Sequence, residues 1–212
     1  MLSPYSLPAK AVVRLLLAAA IAMATLPAQL PPDPAALSGY TPLTSEERWH
    51  RYWQESFSSP GLYFASLGSA IEGQLANDPP EWRQGVGGFS LRSASLFGMF
   101  TIQTTIYEAG TAAMGLEPRY QRCDCKGFPR RIGHALKWSV VTLNNAGKVR
   151  PNLPALAGGY GSGMLAMSWY PDRYHSLSDG VRLGNQQAGF MAGINLIREF
   201  GPELKRLLRF VH

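Results

Sequence analysis

The amino-acid sequence predicts an all-α protein, a helical bundle of about six helices. Apolar residues recur three and four positions apart in six segments, which is the spacing of one face of a helix. Prolines and glycines separate these segments, such as the pair Pro79 and Pro80, which a helix does not tolerate in its interior. No segment shows the sustained alternation of β-branched residues that is typical of a strand.

Residues 1–28 have the layout of a secretory signal peptide. Lys10 and Arg14 precede an apolar run at 15–26, and small residues allow cleavage after Ala24 or after Ala28. The alternative is an uncleaved anchor helix, but the uncharged run is shorter than the roughly 20 apolar residues that a spanning helix needs. We therefore expect an extracytoplasmic protein of the periplasm or cell envelope, with membrane association left open.

The mature chain is moderately basic. The sequence has 212 residues and a formal net charge of +6, and removal of residues 1–28 takes away Lys10 and Arg14 and no acid, which leaves +4. This length suits one domain. The charge suggests anionic lipid or an anionic envelope polymer as a partner. Nucleic acid is not expected, because no DNA- or RNA-binding signature is present, and assembly into a homo-oligomer stays open.

The first half of the mature chain predicts a linker and three helices. Residues 29–43 are rich in proline and predict a flexible linker before a single helical domain at 44–212. Thr44 and Glu47 match a capping box, which begins a helix over 45–57. Two further helices are expected over 62–76 and 89–113. The first helix carries aromatic side chains on one face: Trp49, Tyr52, Trp53 and Phe57.

The second half predicts three more helices, over 129–143, 153–170 and 178–200. Pro129 suits the first turn of the fourth helix, and Pro171 ends the fifth. Gly201 and Pro202 interrupt the sixth helix before a short basic amphipathic tail that ends at residue 212.

The two halves are faintly similar at an offset of 91 residues. Proline and glycine positions alone produce some such matches by chance. The alternative is a duplication, which predicts two pseudo-repeated three-helix units about a pseudo-two-fold axis. Matched positions include Gly68 with Gly159, Pro80 with Pro171 and Glu108 with Glu199.

The glycine-rich segment GGYGSG at 158–163 has two interpretations. Gly161, Gly163 and Ala166 satisfy the dinucleotide-binding fingerprint, but that fingerprint requires a strand leading into the first glycine, and prolines precede it here. Small residues at helical spacing instead favour close helix packing. We expect Gly159 and Gly163 to face a neighbouring helix, with the helix over 62–76 as its partner. The packing residues are Ala65, Gly68, Ser69, Gly73, Gly159, Gly163 and Ala166.

Three carboxylates are candidates for general acid and base chemistry, because each lies inside a helix that otherwise looks buried. They are Glu72, Glu108 and Glu199. The alternative is a structural salt bridge, with Arg92 or Arg198 as partner. This enzyme hypothesis, a periplasmic hydrolase or lyase, is secondary to a non-enzymatic role.

Cys123, Cys125 and His134 are the candidates for a metal site, but a tetrahedral zinc needs four ligands and the sequence offers three. A disulfide between two cysteines one residue apart is strained. We therefore expect two solvent-facing loop cysteines, no metal and no cofactor.

The positions of charged residues indicate whether the bundle lies in water or in a membrane. Residues 151–171 carry no charge, yet a cleaved signal peptide places the basic loops outside, against the positive-inside rule. A soluble bundle is therefore favoured, with a multispan channel or transporter-like protein as an alternative. The residues expected to bind an anionic surface are Arg119, Arg122, Lys126, Arg130, Arg131, Lys205, Arg206 and Arg209.

Four short segments, PPEWRQG at 79–85, EPRY at 117–120, WYPDR at 169–173 and REFGPELK at 198–205, together resemble a group of exported bacterial helical proteins that have no established activity. The resemblance implies export and a helical fold. It implies no reaction, because the shared residues lie in loops and turns.

Overall fold

The computed structural model describes residues 41–203 and residue 206, and six α-helices follow one another in this part of the chain. The all-α prediction is confirmed. The expected signal peptide at 1–28, the linker up to residue 40 and most of the C-terminal tail lie outside the described residues. The helices are α1 (Ser45–Trp53), α2 (Pro60–Ala76), α3 (Gly85–Ala113), α4 (Phe128–Lys137), α5 (Leu153–Ala166) and α6 (Leu177–Glu199).

Two of the helices begin at capping boxes, which satisfy N–H groups that have no partner within the helix. At α1, the Thr44 hydroxyl accepts a hydrogen bond from the Glu47 N–H, and the Glu47 carboxylate accepts one from the Thr44 N–H at 2.8 Å. Ser176 and Asp179 form the same reciprocal pair before α6. A π-helical turn at Gln54–Ser58 extends α1.

The fourth and fifth helices are shorter than predicted. We expected a helix over 129–143, but α4 ends at Lys137 and strand β1 (Val141–Leu143) pairs antiparallel with β2 (Val149–Pro151). Residues 140–142 are β-branched, which suits a strand better than a helix. The expectation of a chain without strands was therefore wrong for this hairpin. α5 ends at Ala166 rather than at residue 170, because residues just before Pro171 are pushed away from helical geometry.

The four longest helices form two hairpins, α2 with α3 and α5 with α6, and α5 also packs against α3. The loops that close the two hairpins meet at one end of the bundle, where the rings of Trp82 and Tyr170 are 4.8 Å apart. We call this the loop end. At the opposite end, Arg48 of α1 donates a hydrogen bond to the carbonyl of Leu116, just after α3, and Arg131 of α4 pairs with Glu199 of α6.

Close backbone contact joins α5 to α6. A Cβ on Gly163 would lie 2.5 Å from the backbone N of Gly184 and 2.7 Å from the carbonyl of Gly180, so only glycine fits. Gly159 faces the same helix. The expectation that these glycines pack against the helix over 62–76 was wrong, because α3 packs between α2 and α5. On α2, Gly68 has no atom within 4 Å of its would-be Cβ.

None of the described helices is both long and apolar enough to cross a membrane.

Candidate functional site

The three candidate catalytic carboxylates occupy three separate environments. Glu72 is exposed on α2, whereas Glu108 and Glu199 are buried in α3 and at the end of α6. Each buried acid is held by its own arginine, Arg51 for Glu108 and Arg131 for Glu199. Acid and base catalysis by a carboxylate pair needs two acids in reach of one substrate. The structure does not bring these carboxylates together.

Only one of the two carboxylate oxygens of Glu108 has a hydrogen-bond partner among the described residues. Its Oε1 accepts a hydrogen bond from Arg51 Nε at 3.0 Å, while its Oε2 is buried without a hydrogen-bond partner among the described residues. Burial raises the pKa of Glu108, and the Arg51 guanidinium opposes this only in part. The buried carboxylate is therefore easier to protonate than a carboxylate in water.

Glu199 is held by several donors. Its carboxylate accepts hydrogen bonds from Tyr120 Oη at 2.7 Å, from the Cys123 N–H at 3.2 Å and from Arg131 Nε at 3.1 Å. Burial alone would raise the pKa of Glu199, but these hydrogen bonds outweigh it and the pKa is lowered. The neighbouring His134 has a lowered pKa because it is partly buried. Glu199 therefore stabilises the fold as an anion.

The arginines named as partners for these acids have other roles. Arg198 donates a hydrogen bond to Glu55 Oε1 at 2.8 Å and so ties α6 to the turn after α1. Arg92 contacts neither acid. Both partner assignments were therefore wrong, because position along a helix does not say which neighbouring element its side chain meets.

The two cysteines are paired. Cys123 and Cys125 form a disulfide with their Cα atoms 5.1 Å apart, so the expectation of two separate loop thiols was wrong. The third candidate metal ligand, His134, lies instead beside Tyr120, with 3.2 Å between Nδ1 and Oη. Within the described ranges, no three His, Cys, Asp or Glu side chains are placed to hold a metal ion.

Glu117 is a buried acid that the sequence analysis missed. Its carboxylate accepts hydrogen bonds from Arg119 Nε and Nη2, each at 2.7 Å. The backbone of Glu117 pairs with the β-hairpin, where its N–H donates to the Leu143 carbonyl at 2.8 Å. The EPRY segment therefore lies in the connection between α3 and α4 and is fixed to the β-hairpin. An acid two residues before an arginine, with a proline between them, was the available signal.

A cleft of about 470 Å³ opens between α2 and α6 at the loop end. Its α2 wall carries Ser69, Glu72 and Gly73, and its α6 wall carries Arg182 and Gly189. The small residues on both walls, Gly73 and Gly189, leave the space between the two helices unfilled. The cleft contains one of the candidate carboxylates, Glu72, which makes no hydrogen bond or ion pair with any described residue.

Arg92 lies at the floor of this cleft and is 2% exposed. Its guanidinium donates to the backbone carbonyls of Asp78, Pro79 and Arg83, at 2.9, 2.7 and 2.8 Å, and to Gln74 Oε1 at 2.7 Å. All four acceptors are neutral, and no carboxylate of the described chain forms an ion pair with Arg92. The PPEWRQG segment is therefore folded around a buried cation, which the sequence suggested only as a salt-bridge partner for the helix carboxylates.

The WYPDR segment lies against the PPEWRQG segment at the loop end. Tyr174 donates a hydrogen bond to the carboxylate of Asp78, and Arg173 pairs with Glu81 at 3.0 Å. Arg182 of α6 pairs with Asp78 at 3.3 Å. These contacts fix one end of the cleft and join the two helical hairpins.

The residues expected to bind an anionic surface fall into three groups. Arg119 and Arg131 are engaged in ion pairs with buried glutamates. Lys205 and Arg209 lie outside the described residues. The exposed members are Arg122, Lys126, Arg130 and Arg206, and the same end of the bundle also exposes Lys137, Lys148 and Arg150.

The outer faces of α2, α3 and α5 are largely apolar, whereas the exposed positions of α6 include Ser178, Arg182, Asn185 and Gln186. At the exposed positions of α2, α3, α5 and α6, the described charged side chains are two, Glu72 and Arg182. The buried positions of the same helices hold many polar side chains, including Gln103 at 2% exposure and Gln187 at 0%. A bundle that folds in water normally has the reverse distribution, with charges outside and apolar side chains inside.

One apolar surface is continuous along α1 and α2. Trp53 packs on Phe57 with ring centroids 4.9 Å apart, and Tyr63 donates a hydrogen bond to the Phe57 carbonyl at 2.6 Å. The surface then follows α2 at four-residue steps, with Ile71 exposed by 52% and Leu75 by 84%. We call this surface the aromatic-leucine stripe; it consists of Trp49, Trp53, Phe57, Tyr63, Leu67, Ile71 and Leu75.

No protein-family model, no curated protein and no solved structure matches this chain.

Proposed function

We propose that this chain is an exported, non-enzymatic protein of the cell envelope that binds to an anionic membrane. The observation that carries the proposal is the largely apolar outer surface of α2, α3 and α5. Exposed contiguous apolar surface on a folded protein marks a contact with lipid or with another protein. Polar side chains that face the bundle interior and apolar ones that face outward are the arrangement expected beside lipid.

The aromatic-leucine stripe is the part of this surface that suits a membrane best. Trp and Tyr side chains favour the boundary between head groups and acyl chains, whereas Leu and Ile favour the acyl chains. The stripe has both, with aromatic residues from α1 to the first turn of α2 and aliphatic residues along the rest of α2. Binding by one face from one side requires no spanning helix.

The basic end of the bundle gives the membrane contact its preference for anionic lipid. Each Lys or Arg near an anionic surface contributes about 1 kcal/mol. On α4, the exposed apolar residues Phe128 and Leu136 alternate with the exposed cations Arg130 and Lys137, which is the composition of an interfacial helix.

Export is supported by two observations. The sequence of residues 1–28 matches a signal peptide, and Cys123 and Cys125 form a disulfide, a bond that persists in oxidising compartments outside the cytosol.

Co-sedimentation with vesicles tests the proposal. We expect the protein to bind vesicles that contain phosphatidylglycerol and to bind less at high salt. The double substitution Lys126→Gln with Arg130→Gln should lower the affinity roughly tenfold to thirtyfold, because two cations are lost. The matched control is Arg83→Gln, an exposed arginine at the loop end, which should leave binding unchanged. Recovery of the protein wholly in the soluble periplasm, with no vesicle binding at low salt, would refute the proposal.

A further inference from the structure

We infer that the cleft between α2 and α6 binds a small zwitterion that carries a phosphate and a protonated amine, the chemistry of a phosphoethanolamine group. The choice of a phosphate rests on the proposed membrane function. The remaining features come from the cleft itself.

The cleft has the dimensions of a ligand site. Its volume of about 470 Å³ lies within the usual range of roughly 300 to 1,000 Å³ for small-molecule pockets. It is bounded by two helices, a loop and a buried floor residue, and aromatic rings of Trp82, Tyr170 and Phe190 line it. Such rings favour a protonated amine over their faces.

Unlike charges stand on the opposite walls. Glu72 on α2 is an exposed carboxylate that no described residue pairs, and it suits an amine. Arg182 on α6 is a half-exposed guanidinium that pairs with Asp78, another residue that lines the cleft, and Arg92 is a buried guanidinium whose acceptors in the described chain are all neutral oxygens. A guanidinium has five N–H groups, and the described acceptors of Arg92 use four of them. Guanidinium groups bind phosphate oxygens.

Gly189 gives the cleft its open wall. A Cβ at this position would meet no atom within 4 Å, although a glycine in the interior of a helix is unfavourable relative to alanine. A larger side chain here would project into the cleft. The same helix has a matched position at Gly193, which is also surrounded by open space but does not line the cleft.

Isothermal titration with sn-glycero-3-phosphoethanolamine, glycerol 3-phosphate and ethanolamine tests the inference. We expect the zwitterion to bind roughly tenfold more tightly than either half alone, since each half loses one charged contact. Glu72→Gln should reduce the zwitterion affinity to that of glycerol 3-phosphate and leave glycerol 3-phosphate unaffected. A wild-type protein that binds none of the three probes, or binds the zwitterion and glycerol 3-phosphate equally, overturns the inference.

Gly189→Leu and Gly193→Leu are the matched variants. Both should unfold at the wild-type temperature or above it, because leucine favours a helix more than glycine does. Gly189→Leu should abolish binding of the zwitterion, and Gly193→Leu should retain it. Retention by Gly189→Leu would show that the probe binds elsewhere and would overturn the inference.

Vesicles identify the source of the ligand. If phosphatidylethanolamine raises the affinity of the wild type for phosphatidylglycerol vesicles and leaves Gly189→Leu unchanged, the ligand is a lipid head group. If the soluble zwitterion binds and the lipid has no such effect, the ligand is a free small molecule. Binding to phosphatidylglycerol vesicles without phosphatidylethanolamine measures the membrane function separately, so the two proposals fail in different experiments.

Discussion

Glu108 and Glu199 show how one residue type takes opposite electrostatic roles inside one bundle. Glu199 has donors for its carboxylate oxygens, and its pKa is lowered; Glu108 has one buried oxygen without a described partner, and its pKa is raised. A carboxylate with a lowered pKa stabilises the fold above its unfolded pKa of about 4.3 and loses that contribution as the pH falls through the folded value. A carboxylate with a raised pKa does the reverse, because ionisation opposes its burial.

The two substitutions Glu199→Gln and Glu108→Gln should therefore differ. At about pH 7 we expect Glu199→Gln to lower the free energy of unfolding by about 3 kcal/mol, since it breaks a buried ion pair. That deficit should shrink below about pH 4, where the wild type loses its anion. Glu108→Gln also breaks an ion pair, but Arg51 keeps Glu55 as a partner and the buried Oε2 has no donor to lose, so the free energy should change by less than about 1 kcal/mol at about pH 7. Its deficit relative to the wild type should grow as the pH falls toward about 4, because protonation relieves the cost of burying Glu108.

Urea unfolding of both variants at several pH values measures these differences. Equal losses for the two variants, with the same dependence on pH, would contradict the assignment of opposite roles.

At the scale of elements, the sequence predicts most helices and misses one hairpin. Capping residues and prolines leave a local signature, so the start of α1 at Ser45 and the end of α2 at Ala76 agree with the prediction. The β-hairpin was missed because its strands are three residues each and the pattern of a strand needs a longer run. The partner of a small-residue stripe is set by the packing order of the helices, which no local pattern records.

The close contact between α5 and α6 should make the fold sensitive to any side chain larger than that of glycine at position 163. Gly163→Ala should lower the free energy of unfolding by about 2 kcal/mol or more, because the new Cβ would meet the rigid backbone of Gly184. Gly68→Ala on α2 is the matched control, and it should raise stability by roughly 0.5 to 1 kcal/mol, because open space surrounds it and alanine favours a helix. Thermal and urea unfolding distinguish the two. Destabilisation by Gly68→Ala would mean that α2 has a close partner in solution.

Local sequence patterns also fail to predict which residues meet at the candidate site. The sequence identifies Glu72, Glu108 and Glu199 as acids within helices, but burial and partners depend on elements far apart in the chain. Arg92 is a lone cation in a largely apolar helix, and its role appears only when the loop after α2 folds around it. Glu117 and Arg119 are close in sequence, yet their burial depends on pairing with the β-hairpin.

At the scale of the whole molecule, the proposal of membrane binding depends on where polar and apolar side chains lie in the bundle. Sequence reasoning favours a soluble bundle from the positions of charges along the chain. The folded arrangement places most of those charges in loops, at the ends and in the interior, and leaves the outer faces of α2, α3 and α5 largely apolar. Composition could not reveal this, because small, polar and apolar residues alternate around each of these helices. The two pseudo-repeated units remain a prediction.

The most direct test of membrane binding places a charge on the aromatic-leucine stripe. Ile71 is 52% exposed on α2, so Ile71→Lys should leave the free energy of unfolding in water within about 0.5 kcal/mol of the wild type. Val149→Lys, at 38% exposure in the β-hairpin, adds the same charge at the basic end.

The measurement is the affinity of each variant for phosphatidylglycerol vesicles at about 0.5 M salt, where attraction between exposed charges is largely screened. We expect Ile71→Lys to bind at least roughly tenfold more weakly than the wild type, because burying the lysine in lipid costs more than its charge gains, and Val149→Lys to bind equally well or better. Equal or stronger vesicle binding by Ile71→Lys would contradict the proposal of membrane binding.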